Sequence, residues 1–332
     1  HNRKSFLEAP TSISRSSSHK HQQMLINVWT AFLDIKLHIN FRYNSNNRKE
    51  EIMIKNVKLL IADIDGTLVN QNRDMLDTTR AVLKDLHNRG VYLGIASGRP
   101  LGEHIYEGAA EWGIDFDFDV WIGMNGGQLQ DNVRNTRNDY YQLQPREIKE
   151  IIELMEPMDA NPFLYIGEDM MSLYIDEEMT ASMKRHNIEC TTVKQLSDFW
   201  AHETNKLLFR LKSADQMPEV EKYLSEHRSD KYAFFKTQPT MMEFQDARIN
   251  KGFAMEQFCK NNNISLDEVI AFGDTTNDNE MLKMAGWSVC LKQGSDDTKA
   301  CADVITDYTN EEDGFGRYIL DHIYPAMGWK LP

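Results

Sequence analysis

Cysteine is scarce in this chain, with only Cys190, Cys259, Cys290 and Cys301 among 332 residues. They show no C-x-x-C spacing and sit in apolar surroundings. This argues against a disulfide framework or a zinc site and for small buried side chains in a reducing, cytoplasmic setting. Positive charge is also short: 37 Lys and Arg stand against 51 Asp and Glu, a formal net charge of -14. Such a chain repels nucleic acid and anionic lipid, so neither is an expected partner. An anionic small molecule could be held only by a cation or by local positive groups. Long apolar runs are missing too. The best candidate, Gln22 to Phe41, is interrupted by Asp34, Lys36 and His38 and is too short to cross a bilayer. No small-residue cleavage site follows an apolar run, so no signal peptide is read.

What is present suits a globular protein. Hydrophobic residues make up 41% and charged residues 27%, enough for a substantial core, and the length suggests about two domains. Residues 1–52 stand apart from the rest. They carry eight Lys and Arg against four Asp and Glu, and polar runs such as Ser16-Ser17-Ser18 and Asn44-Ser45-Asn46-Asn47. A segment of this kind buries too little apolar surface to offset its chain entropy. Met53 is read as the natural start, with the preceding residues a disordered or artefactual extension. A basic amphipathic anchor around Leu25 to Phe41 is the rival reading.

After Met53 an α/β rhythm begins. Val57 to Ala62 reads as a buried parallel strand ending at Asp63, Asp77 to Asn88 as a helix, and Val91 to Ala96 as a second strand. Residues 101–112 read as helix and Val120 to Met124 as a third strand. The pattern then changes. A helix over 145–158, a hairpin from Phe163–Ile166 and Ser172–Ile175, a helix over 177–187, a strand Lys206–Leu211, a helix near 215–227 and a strand Tyr232–Lys236 make an α+β insert of about one hundred residues. The α/β rhythm returns with a helix from Lys251, a strand ending at Gly273 and a strand Trp287–Leu291. The expected division is a core over 53–137 and 241–332, an inserted domain over 138–240, and hinges near 132–145 and 237–242.

Four short motifs stand at strand ends or helix starts. Asp63-Ile64-Asp65-Gly66-Thr67 puts two carboxylates on one side of an extended chain before a glycine turn. Ser97-Gly98-Arg99 offers a hydroxyl and backbone N–H groups to an oxyanion. Lys251 follows Asn250 at a helix start. Gly273-Asp274-Thr275-Thr276-Asn277-Asp278 gathers carboxylates and a carboxamide, a donor set for a hard cation such as Mg²⁺. Each has a plainer reading: an Asp-Gly turn, an N-cap with Pro100 at N1, a solvated lysine, a turn before a helix.

Their combination and order resemble the haloacid dehalogenase superfamily of phosphotransferases, and the long α+β insert resembles the C2B cap of its Cof-type (subclass IIB) phosphatases. The resemblance runs from Met53 to the C-terminus and includes Asn125-Gly126-Gly127 and Asp313-Gly314-Phe315. It implies a Rossmann-like parallel-sheet core with a cap, and a Mg²⁺-dependent phosphatase acting on small-molecule phosphate monoesters such as sugar phosphates or phosphorylated cofactors. Asp63 would be the nucleophile and Asp65 the acid and base. Ser97 and Lys251 would bind the phosphoryl group, with Gly66, Thr67, Gly98, Arg99, Asn125, Gly126 and Asn277 around the substrate. Asp63, the backbone carbonyl of Asp65, Asp274 and Asp278 would hold the metal. Two positions depart from the family pattern: Asn250 and Thr275 stand where serine is common, and both keep a hydrogen-bonding side chain. A phosphomutase of the same superfamily and a non-catalytic phosphate-sensing regulator are the alternatives. Missing membrane spans exclude a transport ATPase. Cap residues that choose the leaving group are expected within Asn161 to Met171 and Gln195 to Asn205. Phe163, Tyr165 and Tyr174 are expected to serve packing.

Overall fold

Leu59-Leu60-Ile61-Ala62 has no polar side chain, and as strand β1 it has no exposed residue. The reason is its position. In the computed structural model, which describes residues 54–186 and 188–332, β1 pairs in parallel with Tyr92–Ala96 (β2) on one side and with Val269–Gly273 on the other. A strand covered by neighbours at both edges and by helices on both faces can carry only apolar residues. The larger sheet continues through Val120–Gly123 (β3) to the antiparallel strands Gln128–Asp131 (β4) and Thr136–Asp139 (β5). Its order, completed by three late strands, is β14-β13-β12-β1-β2-β3-β4-β5. The segments on Met53 and on 25–41 discussed above lie outside the described residues.

The insert forms its own sheet from Asn161–Ile166 (β6), Asp169–Ser172 (β7), Cys190–Thr192 (β8), Lys206–Arg210 (β9), Tyr232–Gln238 (β10) and Met241–Asp246 (β11), in the order β10-β11-β9-β6-β7-β8. Alternation along its central strands separates two faces. Leu207, Phe209, Met242 and Phe244 pack with Ile148, Ile151, Val220 and Leu224 of the helices Pro145–Met155 and Met217–Glu226. Leu208, Met241 and Phe163 pack on the other face with Met179 of the helix Glu177–His186. Lys206, Glu243 and Gln245 share that second face by parity and are also buried. The larger sheet then closes with β12 (Val269–Gly273), β13 (Trp287–Cys290) and β14 (Val304–Ile305). Cys259 and Cys290 are buried and Cys190 and Cys301 half-buried. Among the described residues no helix is long and apolar enough to cross a membrane.

Three expectations are corrected. The hairpin returns at Asp169–Ser172, three residues early, because Gly167-Glu168 turns the chain directly after Ile166. Met241–Asp246 belongs to the insert's sheet, paired to both β10 and β9. The boundary expected at 240 therefore falls after Asp246, and the proposed hinge 237–242 is the turn of a hairpin. Glu243 and Gln245 had hidden this strand by breaking its apolar pattern. Finally, β5 pairs with β4, so the insert begins after Asp139.

The C-terminal Asp313-Gly314-Phe315 motif acts on the first helix. The helix Asp77–Asn88 buries Thr79, Val82, Leu83 and Leu86, one stripe at helical spacing, yet its own N-cap, Leu76, has no side chain to accept from the free N–H groups. Asp313 supplies the missing acceptor. Its carboxylate takes the N–H of Thr78 at 2.8 Å, the N–H of Thr79 at 3.1 Å and the Thr79 hydroxyl at 2.5 Å. Next to it, Phe315 packs against Phe272 with centroids 4.5 Å apart. Asp313→Ala removes a cap and leaves buried donors unsatisfied. The expected loss is about 1–3 kcal/mol of unfolding free energy in urea melts, with Asp313→Asn losing less. An unchanged midpoint in Asp313→Ala would show that the cap contributes nothing.

Candidate active site

The centre of the site is a buried ammonium between two carboxylates. Lys251 is fully buried at the start of the helix Lys251–Asn261, whose N-cap Asn250 accepts the N–H of Phe253 at 2.7 Å. Its Nζ donates to Asp63 Oδ1 at 2.5 Å and to Asp278 Oδ1 at 2.6 Å. Burial works against the lysine's charge, but Asp278 and Asp63 outweigh it and hold the ammonium well above its ordinary range. Asp63 ends β1, and its N–H is tied to the carbonyl of Phe272 in β12 at 3.1 Å. Asp274 ends β12 and accepts the Thr67 hydroxyl at 3.1 Å. Asp278 accepts the N–H groups of Asp274 and Thr275 at 2.9 and 3.1 Å. Gly66 is the only residue type that fits its place: its φ is +83°, and a Cβ there would stand 2.4 Å from Asp274 Oδ2.

Asp63, Asp274 and Asp278 each offer an oxygen within 4.8 Å of the others. Burial pushes the Asp63 carboxyl up to about 7, with Lys251 pulling it down and Asp278 and Asp65 pushing it further up. Burial, followed by the charges of Asp63 and Asp278, pushes Asp274 up to about 8. One ammonium thus faces three carboxylates, and the cluster is short of positive charge. Buried oxygen donors with a charge deficit suit a small hard divalent cation. Both Asp278 oxygens already accept hydrogen bonds from Lys251, Asp274 and Thr275, so Asp278 organises the cluster more than it offers a free oxygen.

Ser97 ends β2, beside β1, and is buried. Its N–H donates to Ile122 O at 2.7 Å, and its hydroxyl oxygen accepts the N–H of Arg99 at 3.1 Å. Arg99 turns its guanidinium to Asp65, donating from Nη2 to both carboxylate oxygens at 2.5 and 2.6 Å. Asp65 is thereby held on the open side of the site, its side chain 55% exposed, outside the Asp63–Asp274–Asp278 cluster. Asn125, with φ +54°, and Gly126, with φ +104°, turn the chain after β3. A Cβ on Gly126 would stand 2.1 Å from the Asn250 carbonyl. Asn277 donates to Asn125 Oδ1 at 3.0 Å, and Thr275 donates to Asn277 Oδ1 at 2.7 Å.

The sequence reading missed Lys206 and Glu243, which the insert brings to this end of the core, whereas Glu168 falls inside the expected window Asn161 to Met171. Asn125 Nδ2 donates to Glu243 Oε1 at 2.5 Å, and Lys206 Nζ donates to Gly98 O at 2.6 Å. Glu168, at the β6–β7 turn, accepts the N–H groups of Glu103 and His104 at 2.9 Å each. A signal existed: Lys206 and Glu243 are charges set inside apolar strand sequence. Beside Arg99 lies a cavity of about 280 Å³ lined by Ile64, Pro100, His104, Trp112, Tyr165 and Glu168 among others. Phe163 packs in the insert as expected, and Tyr174 is exposed. Tyr165 packs against the same cluster as Phe163, as expected, and also lines this cavity.

Residues 60–319 match the family model of haloacid dehalogenase-like hydrolases. The chain is 24% identical over 269 residues to the 5-amino-6-(5-phospho-D-ribitylamino)uracil phosphatase YitU of Bacillus subtilis, covering 80% of this chain and 97% of that one. The crystal structure of TM0651 from Thermotoga maritima superposes with a TM-score of 0.67 at 26% identity, over 80% of this chain and 97% of that one. The fold is also that of the subclass IIB sugar phosphatase BT4131, with a TM-score of 0.66 at 20% identity over 80% and 98% of the two chains. A largely parallel sheet whose strand ends carry three of the motifs, a helix start that carries the fourth, an inserted α+β layer facing them, and a family match over most of the length agree: this chain belongs to the haloacid dehalogenase-like hydrolase family.

Proposed function

We propose that the enzyme hydrolyses small-molecule phosphate monoesters, with Mg²⁺ as cofactor and Asp63 as nucleophile. The observation that carries this reading is the Lys251 ammonium bridging Asp63 and Asp278 inside a cluster of three buried carboxylates. When bound, Mg²⁺ would be held by Asp63, Asp274 and the backbone carbonyl of Asp65, with Asp278 supporting them, and would offset the negative charge that carboxylates and phosphate bring together. Lys251 fixes the Asp63 carboxylate with one oxygen engaged and the other open to attack phosphorus. Attack forms the Asp63 acyl phosphate and breaks the ester P–O bond. Asp65, once it has left Arg99 and taken up a proton, gives that proton to the departing alkoxide, then takes one from the water that cleaves the acyl phosphate to orthophosphate. Ser97, the adjoining N–H groups and Lys251 bind phosphoryl oxygens as charge spreads over them. Arg99, which lines the cavity, is the resting partner of Asp65.

The leaving group is assigned to the cavity between Arg99, Tyr165 and Glu168. Its mixture of apolar walls (Ile64, Pro100, Trp112) and charged groups suits a polyhydroxylated or heteroaromatic phosphate ester. The relative acting on a phosphoribityl-aminouracil and the sugar-phosphatase neighbour both have leaving groups of this chemistry. A phosphoribityl-aminouracil and sugar phosphates are therefore the first substrates to try.

Asp63→Asn is expected to lower kcat for p-nitrophenyl phosphate by about 10³-fold or more while staying folded, as read by circular dichroism. Near-normal orthophosphate release by that variant would remove the nucleophile assignment.

Metal binding and pH are linked through the same carboxylates. With Asp63 at about 7 and Asp274 at about 8 against an ordinary 3.8, the ion-free folded state holds protons that the unfolded chain has released. Its stability therefore falls as pH rises from about 4 to about 8. Mg²⁺ must displace these protons, so it binds more tightly as pH rises through the window. The increment in melting temperature caused by Mg²⁺ is expected to be larger at pH 8 than at pH 6. An equal or smaller increment at pH 8 would contradict this assignment of the cluster.

A further inference from the structure

Lys206 opens β9 in the insert, and its side chain is only 6% exposed. A buried ammonium must be paired, and it has three neighbours. It stands 3.3 Å from Glu243 Oε1, 5.6 Å from the centre of the Tyr165 ring, and 2.6 Å from the carbonyl oxygen of Gly98. The first two lie in the insert. The third belongs to the Ser97-Gly98-Arg99 loop of the core, 108 residues earlier.

The direction of that carbonyl has a consequence for the next atom along. In a trans peptide the C=O and the N–H point to opposite sides. With the Gly98 carbonyl turned to Lys206, the N–H of Arg99 turns the other way, where it donates to Ser97 Oγ at 3.1 Å. Ser97 is fixed on its other sides as well. Its N–H is held by Ile122 and its carbonyl accepts the N–H of Asn125 at 3.1 Å. A hydroxyl whose oxygen accepts one N–H keeps its own hydrogen to donate. One peptide plane therefore joins the insert's lysine to the core's phosphate-facing serine. Glu243 holds Lys206 in place, and Glu243 is itself held by Asn125 Nδ2 at 2.5 Å from the turn after β3.

We infer that Lys206 is a positioning residue that sets the Ser97 hydroxyl for the phosphoryl group through the Gly98–Arg99 peptide, so that docking of the insert completes the phosphate site. The inference rests on the phosphatase reading. It assigns Lys206 no contact with substrate.

The test is a double-mutant cycle on the full chain. The variants are Lys206→Met, Ser97→Ala and both together, each assayed for kcat and KM with p-nitrophenyl phosphate and for inhibition by inorganic phosphate. Lys206→Met alone is expected to weaken inhibition by inorganic phosphate and to lower kcat/KM, each by about 10- to 100-fold, the effect of losing one charge-assisted hydrogen bond. In the Ser97→Ala background the same change is expected to alter either quantity by less than about twofold, since the residue through which it acts is gone. Losses that multiply across the two sites, or wild-type inhibition by phosphate in Lys206→Met, would overturn the inference. Should Lys206→Met fail to fold because Glu243 is left buried and unpaired, the cycle is run on Lys206→Met with Glu243→Gln, which removes both charges. A wild-type enzyme that releases no orthophosphate removes the phosphatase reading beneath this inference. An active wild type with multiplicative losses removes the inference alone.

Discussion

The structure depends on one buried cation. Lys251 is removed from water between Asp63 and Asp278, and a buried ammonium can stay there only with such carboxylates to pair it. The demand explains several features at once. The helix that carries Lys251 must start at the strand ends, and Asn250 fixes that start by capping Phe253. The turn after β3 must leave room for this start, and Gly126 provides it by lacking a Cβ against the Asn250 carbonyl. Asp278 must face the lysine, and the N–H groups of Asp274 and Thr275 turn it there. Removing the lysine would leave two carboxylates facing a third with nothing to separate them.

Polar groups tie the insert to this centre. Lys206, Glu243 and Gln245 are charged or amide side chains on a sheet face that elsewhere carries Phe163, Leu208 and Met241. Buried polar groups are costly unless fully partnered, and their partners here are atoms of the core: the Gly98 carbonyl and the Asn125 amide. A purely apolar contact would tolerate sliding. A set of directed hydrogen bonds admits one placement, and Glu168 on the N–H groups of Glu103 and His104 adds a second fixed point. Docking specificity therefore sits in the few groups that an apolar interface would exclude.

Much of this was legible in the sequence because the chemistry is local there. Asp63 to Thr67, Ser97 to Arg99 and Asp274 to Asp278 each combine an apolar strand with a polar end, and the structure puts them on neighbouring strands β1, β2 and β12. Asn250 and Thr275 keep their hydrogen bonds, as their side-chain chemistry implied. What was not legible depended on pairing across distance. Glu243 looked like an interruption because its partner, Asn125, lies 118 residues away. Asp65 read as one of a converging pair of carboxylates, but the Arg99 guanidinium draws its side chain aside. Asp313 read as part of a motif with no visible task, since the helix it caps lies more than two hundred residues upstream.

The position of β1 also constrains how the molecule can be made. Its partner on one edge, β2, follows within about thirty residues, whereas its partner on the other edge, β12, begins at Val269. While the chain is being synthesised, β1, whose side chains are wholly apolar, presents an edge of unpaired N–H and C=O groups until the whole insert and the helix Lys251–Asn261 have emerged. Such an edge invites association with other chains. The insert, closed around its own two clusters, can form during that interval. The strand that leads to Asp63 is then sealed only when β12 arrives, and the Asp313 carboxylate caps the helix Asp77–Asn88 later still. The strand that leads to Asp63 thus gains its second edge partner late in synthesis, which lengthens the period in which chaperones have an exposed strand to guard.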